Sequence, residues 1–433
     1  MSWASEEFVD LDLGDKRLNR RLVKLAETFA RQPMPAIPAA CGGWADTQAA
    51  YRFFGQTRFD WRDIMAPHWQ ASATRMAAHP VVLMLQDTTE LDFNGQNIVG
   101  LGRLSYEAQR GLYLHPTYAV TPDREPLGVT DAWMWARREK GEPDERESTR
   151  WIEGYERVAE QAATMPQTRL VYVADREGDI LELMQRAATM GHPADWLIRS
   201  QHDRKLPDGH RLWARVADGE PLGVIEFTQQ ARPGQPARRV RQSVWARRVM
   251  LAEGIEVTGV VAREMSPPHG VKALEWRLLS NRVSVDFAAA TQLIDWYRVR
   301  WEIELLFHVV KNACRVEALQ LSTMERLERA IALYLVVAWR IARLMRLGRT
   351  CPDLPADLFF EPDEWRGAHV LLKKPVPPEP PSLNQVIRLI ATLGGFLGRK
   401  GDGEPGVKTL WWGLQRVTDF AAGLRYAREH GGL

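Results

Sequence analysis

The stretch VVLMLQDTT, residues 81–89, places an acidic residue directly after an apolar run. Residues 81–86 have the length and composition of a buried strand, and Asp87 follows at once. The stretch RLVYVAD, residues 169–175, repeats this arrangement and ends at Asp175. An aspartate after a strand is usually a turn former or a cap. Two such positions also fit an α/β sheet, because these sheets bind ligands at their strand ends.

The segments around these two strands alternate between strand and helix patterns. Residues 112–120 and 126–135 predict two more strands, and residues 151–165 predict a helix before the second aspartate. After residue 200, short polar–apolar alternations are separated by turn residues near 207–209, 233–234 and 267–268. They predict a small antiparallel β region of about 70 residues. The sequence therefore predicts the α/β class with a β insertion.

Both ends of the chain carry helical patterns. Residues up to about 70 look helical and basic, and a proline-rich linker at residues 375–381 precedes a C-terminal helical module. The basic residues near the N-terminus recur at steps of three and four beside a leucine stripe; they are Lys16, Arg17, Arg20, Arg21 and Lys24. Such a pattern is typical of a solvated helix face, and it also fits a DNA-binding face.

The composition excludes several classes of protein. A formal net charge of +2 over 433 residues says little about partners, so any affinity for nucleic acid must come from local clusters. The three cysteines lie far apart without zinc-type spacing. No signal-peptide pattern is found, and the most apolar run, residues 330–339, is far shorter than a membrane span. We therefore expect a cytoplasmic protein.

A long predicted helix, residues 287–312, carries a row of polar residues. Tyr297, Arg300, Glu304 and Lys311 follow at steps of three, four and seven, which predicts that they share one helical face. An apolar stripe beside this row should face the core; it comprises Trp296, Val299, Ile303, Leu306 and Val310. Surface charge pairs are the simpler explanation of the row. That explanation gives no reason for the tyrosine.

The residue types in this set suit chemistry at phosphorus. Three carboxylates, Asp87, Asp175 and Glu304, suffice to bind a pair of hard divalent cations, which favour phosphodiester cleavage. Arg300 and Lys311 would neutralise phosphates, and Tyr297 could donate to a phosphate or stack on a base.

The motifs resemble those of one family over nearly the whole chain. Tyr297-x-x-Arg300-x-x-x-Glu304-x-x-x-x-x-x-Lys311 resembles the Tyr-Arg-Glu-Lys signature of bacterial insertion-sequence DDE transposases of the Tn-five (IS-four) type. LQDTTEL and VADREGDI resemble the family's two aspartate motifs. The family's N-terminal segment is resembled by DLDLGDKRLNRRLVKLA and QAAYRFF. The exit from its β insertion is resembled by EMSPPHG and LEWRLLSN, and its C-terminal region is resembled by LGGFLGRKGDGEPGVKTLWWGL.

The resemblance implies a ribonuclease-H-like core, a mixed sheet flanked by helices. Residues 1–70 would be a helical domain that binds DNA ends, residues 71–372 the core with its insertion at about 201–275, and residues 373–433 a helical dimerisation domain. Asp87 and Asp175 would lie on neighbouring strands and Glu304 on a helix after the insertion. These three residues would bind two Mg²⁺ ions, for which Mn²⁺ substitutes.

The resemblance also implies a reaction and its partners. Such proteins excise an element by cut and paste: water nicks one strand, the freed 3′-hydroxyl closes a hairpin, and the reopened end attacks target DNA. Double-stranded DNA, both transposon ends and target, would be bound by a homodimer in the nucleoid. The alternatives are a ribonuclease-H-like nuclease, which would need the same carboxylates but neither the basic N-terminal module nor the C-terminal region, and a catalytically inactive inhibitor of transposition. The intact triad and N-terminus weigh against the inhibitor.

Further DNA contacts follow from the resemblance by position. Arg199 matches a family arginine near the active site. Trp276 matches a family tryptophan associated with a flipped base, although a tryptophan buried in the core of a strand is an equally good interpretation of this residue. Arg239 and Arg241 alternate with apolar neighbours, so that one strand face would present them either to phosphates or to solvent. In the N-terminal region, Arg17, Arg20 and Arg21 would contact the transposon end.

Overall fold

A computed structural model describes residues 2–31, 37–41, 43–138, 146–229 and 237–431. The turn predicted at residues 233–234 lies outside the described residues, as do residues 140–145 of a charged linker.

A mixed sheet of eleven strands forms the centre of the described chain. The strands are β1 (Val81–Gln86), β2 (Thr89–Asp92), β3 (Gly102–Arg103), β4 (Arg110–Val120), β5 (Pro126–Trp135), β6 (Arg169–Ala174), β7 (Asp195–Arg199), β8 (Gly223–Gln229), β9 (Arg238–Met250), β10 (Glu256–Glu264) and β11 (Glu275–Ser280). Their main order is β2-β4-β1-β6-β7-β11-β10-β9-β8, and β3 and β5 pair with β4. The pairs β1–β6 and β6–β7 are parallel and the other pairs are antiparallel.

Helices cover the sheet and form both ends of the chain, which confirms the predicted α/β class. They are α1 (Trp3–Glu7), α2 (Lys16–Arg31), α3 (Ile37–Ala40), α4 (Trp44–Phe54), α5 (Trp61–Ala77), α6 (Glu147–Thr164), α7 (Leu181–Thr189), α8 (Leu212–Val216), α9 (Phe287–Val299), α10 (Trp301–His308), α11 (Met324–Thr350), α12 (Pro362–Leu371), α13 (Leu383–Leu393) and α14 (Val407–Glu429). Within the described residues, no helix is both long and apolar enough to cross a membrane.

Alternation along β1 explains why helices lie on both faces of the sheet. Leu83 and Leu85 belong to a core shared with α10 and α11, whereas Val82 and Met84 belong to a second core shared with α6 and α7. Successive side chains of a strand point to opposite faces, so an uninterrupted apolar run needs a helical layer on each side.

The β insertion extends the central sheet. β11 pairs with β7, with Leu278 opposite Arg199, and β10, β9 and β8 follow outward. The predicted antiparallel pairing is confirmed. That the insertion joins the same sheet could not be predicted, because strand patterns in a sequence do not identify their pairing partners.

Helices on both sides of the proline-rich linker pack on each other. Arg428 of α14 forms an ion pair with Asp363 of α12 at 2.8 Å, and Gly367 of α12 lies against Phe420. Both α13 and α14 also contribute to the core that contains α11. The three domain boundaries expected from the sequence stay predictions.

The helix predicted over residues 287–312 is interrupted twice, which corrects the expectation of one continuous helix. It breaks at Arg300, between α9 and α10, and continues after His308 as a π-helical turn, Val309–Ala313. The predicted apolar stripe is buried throughout. The polar row does not form one uniform face, since Tyr297 and Arg300 are buried and the Glu304 side chain is 42% exposed.

Candidate active site

Two aspartates lie side by side where β1 and β6 end. These strands are parallel neighbours, and Leu85 is opposite Val173 in the last register pair. Asp87 and Asp175 each follow two residues later, so both leave the sheet at equivalent positions. Because paired strands are about 4.8 Å apart, the two carboxyl groups face one small volume.

Arg300 connects the first aspartate to the helix. Its Nη1 donates to Asp87 Oδ2 at 2.6 Å, and its Nη2 donates to Glu304 Oε1 at 2.7 Å. The residue is only 5% exposed, and burial makes such charge-assisted bonds stronger than their surface counterparts. The break between α9 and α10 occurs at this arginine. The guanidinium therefore holds Asp87 and Glu304 on either side of itself.

The pKa of Asp87 reports how close the three carboxylates are. Burial raises it, the charge of Arg300 lowers it, and the charges of Asp175 and Glu304 raise it again, to about 6. Asp175 and Glu304 thus each lie within electrostatic range of Asp87. Within the described ranges, however, no group of three or more His, Cys, Asp or Glu side chains is arranged closely enough to bind a metal ion directly.

Asp175 is also a helix cap. Its Oδ1 accepts the backbone N–H of Glu177 at 2.9 Å and begins a 3-10 turn, Arg176–Gly178. Asp175 therefore has the capping role that is ordinary for an aspartate after a strand. This role is compatible with its place beside Asp87 among the three acidic residues. The cap fixes the backbone that carries the side chain.

Asp179, at the end of that turn, was not predicted from the sequence. Its buried carboxylate accepts hydrogen bonds from the Ser200 hydroxyl and from the backbone N–H groups of Gln201 and His202, and it forms a 2.7 Å ion pair with Arg204. These contacts hold the end of β7 against the turn. The only signal in the sequence was an aspartate four residues after Asp175.

Tyr297 and Arg300 present buried donors without partners. The Tyr297 hydroxyl and the Arg300 Nε make no acceptable hydrogen bond within the described part of the chain. Burial raises the pKa of Tyr297, whereas the neighbouring charges of Arg300 and Arg199 lower it, together with a contact to Arg300 that is too poorly aligned to satisfy the hydroxyl. Buried unpaired donors are costly, so an acceptor-rich ligand such as a phosphate would relieve them.

The sheet register places the DNA contacts predicted for the core at one end of the strands. Arg199 ends β7, and Trp276 lies two residues beyond its partner Leu278 on β11. Following the antiparallel pairs across β10 places Arg239 and Arg241 of β9 toward this same end. Both arginines are exposed, as predicted, and Arg241 pairs with Glu226 at 2.8 Å.

The remaining predicted contacts show different environments. The Trp276 ring stacks on Phe227 at 5.4 Å and is partly buried. Lys311 lies in the π turn, and it is in none of the ion pairs of the described residues. On α2, Arg17 and Arg20 are exposed, while Arg21 pairs with Asp46 at 3.1 Å.

Three family models match the chain in order. Residues 1–59 match the model described as transposase DNA-binding, residues 153–340 the transposase DDE domain, and residues 336–432 the transposase Tn5 dimerisation domain. The second range contains Asp175 and Glu304 and begins after Asp87.

One solved structure shows a weak overall likeness. It is a chain of a piggyBac transposase synaptic complex with hairpin DNA, at 8% identity and a TM-score of 0.36. The match covers 85% of this chain, which spans 60% of the other.

Proposed function

Because the chain belongs to the Tn5-type family of DDE transposases, we propose that it is a cut-and-paste DNA transposase. It binds the inverted-repeat ends of its element, cleaves them through a hairpin intermediate and joins the 3′-hydroxyl ends to target DNA. Asp87, Asp175 and Glu304 are the catalytic residues in this proposal.

One observation carries the proposal, the convergence of these three acids from distant parts of the sequence. Two come from the ends of adjacent parallel strands, and the third is joined to the first through a single arginine. The raised pKa of Asp87 follows partly from the other two negative charges, which a fold without a use for them would have no reason to assemble.

The donor chemistry of the site fits divalent cations. Three carboxylates offer hard oxygen ligands of the kind that Mg²⁺ and Mn²⁺ prefer, so Asp87, Asp175 and Glu304 would hold two such ions. When bound, the ions supply an activated attacking oxygen and a stabilised leaving oxygen. Burial, and then the charges of Asp175 and Glu304, raise the pKa of Asp87, and a bound cation would stabilise its charged form.

Other residues of the chain position the DNA. Arg300 and Tyr297 offer the buried unpaired donors described above, which suit a phosphate oxygen near the cleavage point. Arg199, Arg239 and Arg241 extend positive charge along the same end of the strands. Lys311, Arg17, Arg20 and Arg21 stay proposed contacts, and a homodimer would hold two ends together.

Cleavage of a labelled duplex tests the proposal. The duplex carries the inverted-repeat end that flanks the gene, and the products are separated on denaturing gels with Mg²⁺ or with a chelator. We expect a nick followed by a hairpin with Mg²⁺ only. Glu304→Ala and Asp175→Asn should abolish both products and leave end binding intact, whereas Asp295→Asn, which alters an exposed acid on the preceding helix, should cleave normally.

Three outcomes would contradict the proposal. Normal cleavage by Glu304→Ala would remove this residue from the chemistry. Loss of end binding in both triad variants, with a lowered melting temperature, would mean that the acids are structural. A bare mobility shift by the unaltered protein, without products, would favour an inactive DNA-binding inhibitor.

A further inference from the structure

Arg300 occupies the oxygens that a cation would need. Its two terminal nitrogens bind Asp87 and Glu304 at 2.6 and 2.7 Å, and these are two of the three carboxylates proposed to hold metal. Each nitrogen uses one oxygen of its carboxylate, and the positive guanidinium at these distances opposes the approach of a divalent cation to either carboxylate. The two therefore compete for the site.

A DNA phosphate would change that competition. The Arg300 Nε is buried and unpartnered within the described chain, and it lies beside a terminal nitrogen in the fork that binds phosphate through two parallel hydrogen bonds. A bidentate phosphate on this fork would take over a terminal nitrogen that now binds a carboxylate. The nearby Tyr297 hydroxyl, also buried and unpartnered, offers the same phosphate a third donor.

From these contacts we propose that Arg300 is an exchange switch that makes DNA binding precede metal binding. Without DNA, the arginine neutralises Asp87 and Glu304 and keeps their affinity for divalent cations low. A DNA phosphate on Nε and Nη2 releases Glu304, and its negative charge offsets the charge of the guanidinium beside Asp87. The inference rests on the proposed function, since it assumes that this triad binds the cations.

The exposure of the partners agrees with such an exchange. The Glu304 side chain is 42% exposed and the Asp87 side chain 18%, so the guanidinium can leave each of them without unfolding the core. The hydrogen bond between Arg300 and Glu304 should break first. Glu304 lies on α10, a short helix bounded by the break at Arg300 and by the π turn.

Mn²⁺ binding tests the switch without measuring activity. Free Mn²⁺ is followed by electron paramagnetic resonance, with the protein alone and with a pre-cleaved duplex end that can react no further. The protein alone should bind Mn²⁺ at least about ten-fold more weakly than its DNA complex. DNA-free Arg300→Ala should bind about as tightly as that complex. Arg298→Ala, which removes an arginine paired with Asp295, should behave like the unaltered protein.

DNA-free Arg300→Ala distinguishes the switch from the alternative that the DNA phosphates themselves bind Mn²⁺ and so raise its affinity. If Arg300→Ala without DNA binds Mn²⁺ no better than the unaltered protein, the switch is refuted. Arg300→Gln serves the same purpose if the alanine variant melts at a lower temperature. Mn²⁺ bound by the duplex itself is subtracted with the Asp175→Asn complex. If that complex binds as much Mn²⁺ as the unaltered one, the proposed function fails rather than the switch.

Discussion

Glu7 allows a quantitative prediction about how the N-terminal helix is held. Its carboxylate accepts from His68 Nδ1 at 2.5 Å and from two Arg75 nitrogens at 2.9 Å. The backbone N–H of Val129 donates to His68 Nε2 at 3.0 Å, so that the imidazole is a neutral donor toward Glu7. The network joins α1 to α5 and β5. Glu7 is 7% exposed and His68 is fully buried.

The magnitude follows from the pKa of Glu7. Burial alone raises it, but hydrogen bonds from His68 and Arg75 and the positive charge of Arg75 lower it from 4.5 to about 2. That difference corresponds to about 3 kcal/mol of stability at neutral pH. Because the folded pKa is the lower one, this contribution is complete above pH 4.5 and is lost as the pH falls toward 2. Glu7→Gln should therefore cost about 3 kcal/mol at pH 7 and progressively less at pH 4 and pH 3.

Urea unfolding at these three pH values, followed by tryptophan fluorescence, measures the difference. Glu6→Gln is the matched control, because Glu6 is an exposed acid on the same helix; its unfolding free energy should change by less than about 0.5 kcal/mol. A Glu7→Gln deficit that stays constant between pH 7 and pH 3 would refute the reasoning, as would equal deficits in the two variants.

Three further predictions follow from other contacts. Glu302 is buried and accepts from Arg346 Nε at 2.7 Å, so Glu302→Gln should lower the unfolding free energy by about 3 kcal/mol and slow cleavage, measured by urea unfolding and by gels. Gly154→Ala should cost about 1–3 kcal/mol in the same unfolding assay, because its Cβ would meet the buried Gln86 amide at 2.2 Å. End affinity in mobility-shift titrations should fall steeply between 50 and about 200 mM salt, and a flat response would contradict binding through phosphates.

Strand patterns in the sequence predict the bounds of several strands to the residue. Residues 81–86, 126–135 and 169–174 were predicted with the bounds that β1, β5 and β6 have. The strands β2 and β3 were missed because four and two residues are too few to show a period. Their pairing with β4 depends on contacts that local sequence does not encode.

The helix that carries Glu304 shows where periodicity fails. Counting in steps of three, four and seven assumes a uniform α-helix from Tyr297 to Lys311. The break at Arg300 and the π turn alter the rotation per residue, so Lys311 does not follow Glu304 as counted. The apolar stripe was nevertheless correct, because burial of these side chains selects the same face on each segment.

The acidic residues of the site can be predicted from the sequence, but the residues that form hydrogen bonds with them cannot. An aspartate after each of two strands is visible in the sequence, and parallel pairing then makes Asp87 and Asp175 neighbours. That Arg300 would bind Asp87, 213 positions away, depends on how α10 docks on the sheet. The same is true of Asp179 and its donors after β7.

The continuous sheet limits how this protein can be shortened. Residues 201–275 look removable in the sequence, but β11 is hydrogen-bonded to β7 along residues 197–199. Cutting out the insertion together with β11 would leave the backbone N–H and C=O groups of β7 unpaired and expose an apolar strand beside the candidate active site. Such a strand pairs readily with other chains. A minimised enzyme would therefore have to keep β11 as a covering strand, or it would precipitate before its chemistry could be assayed.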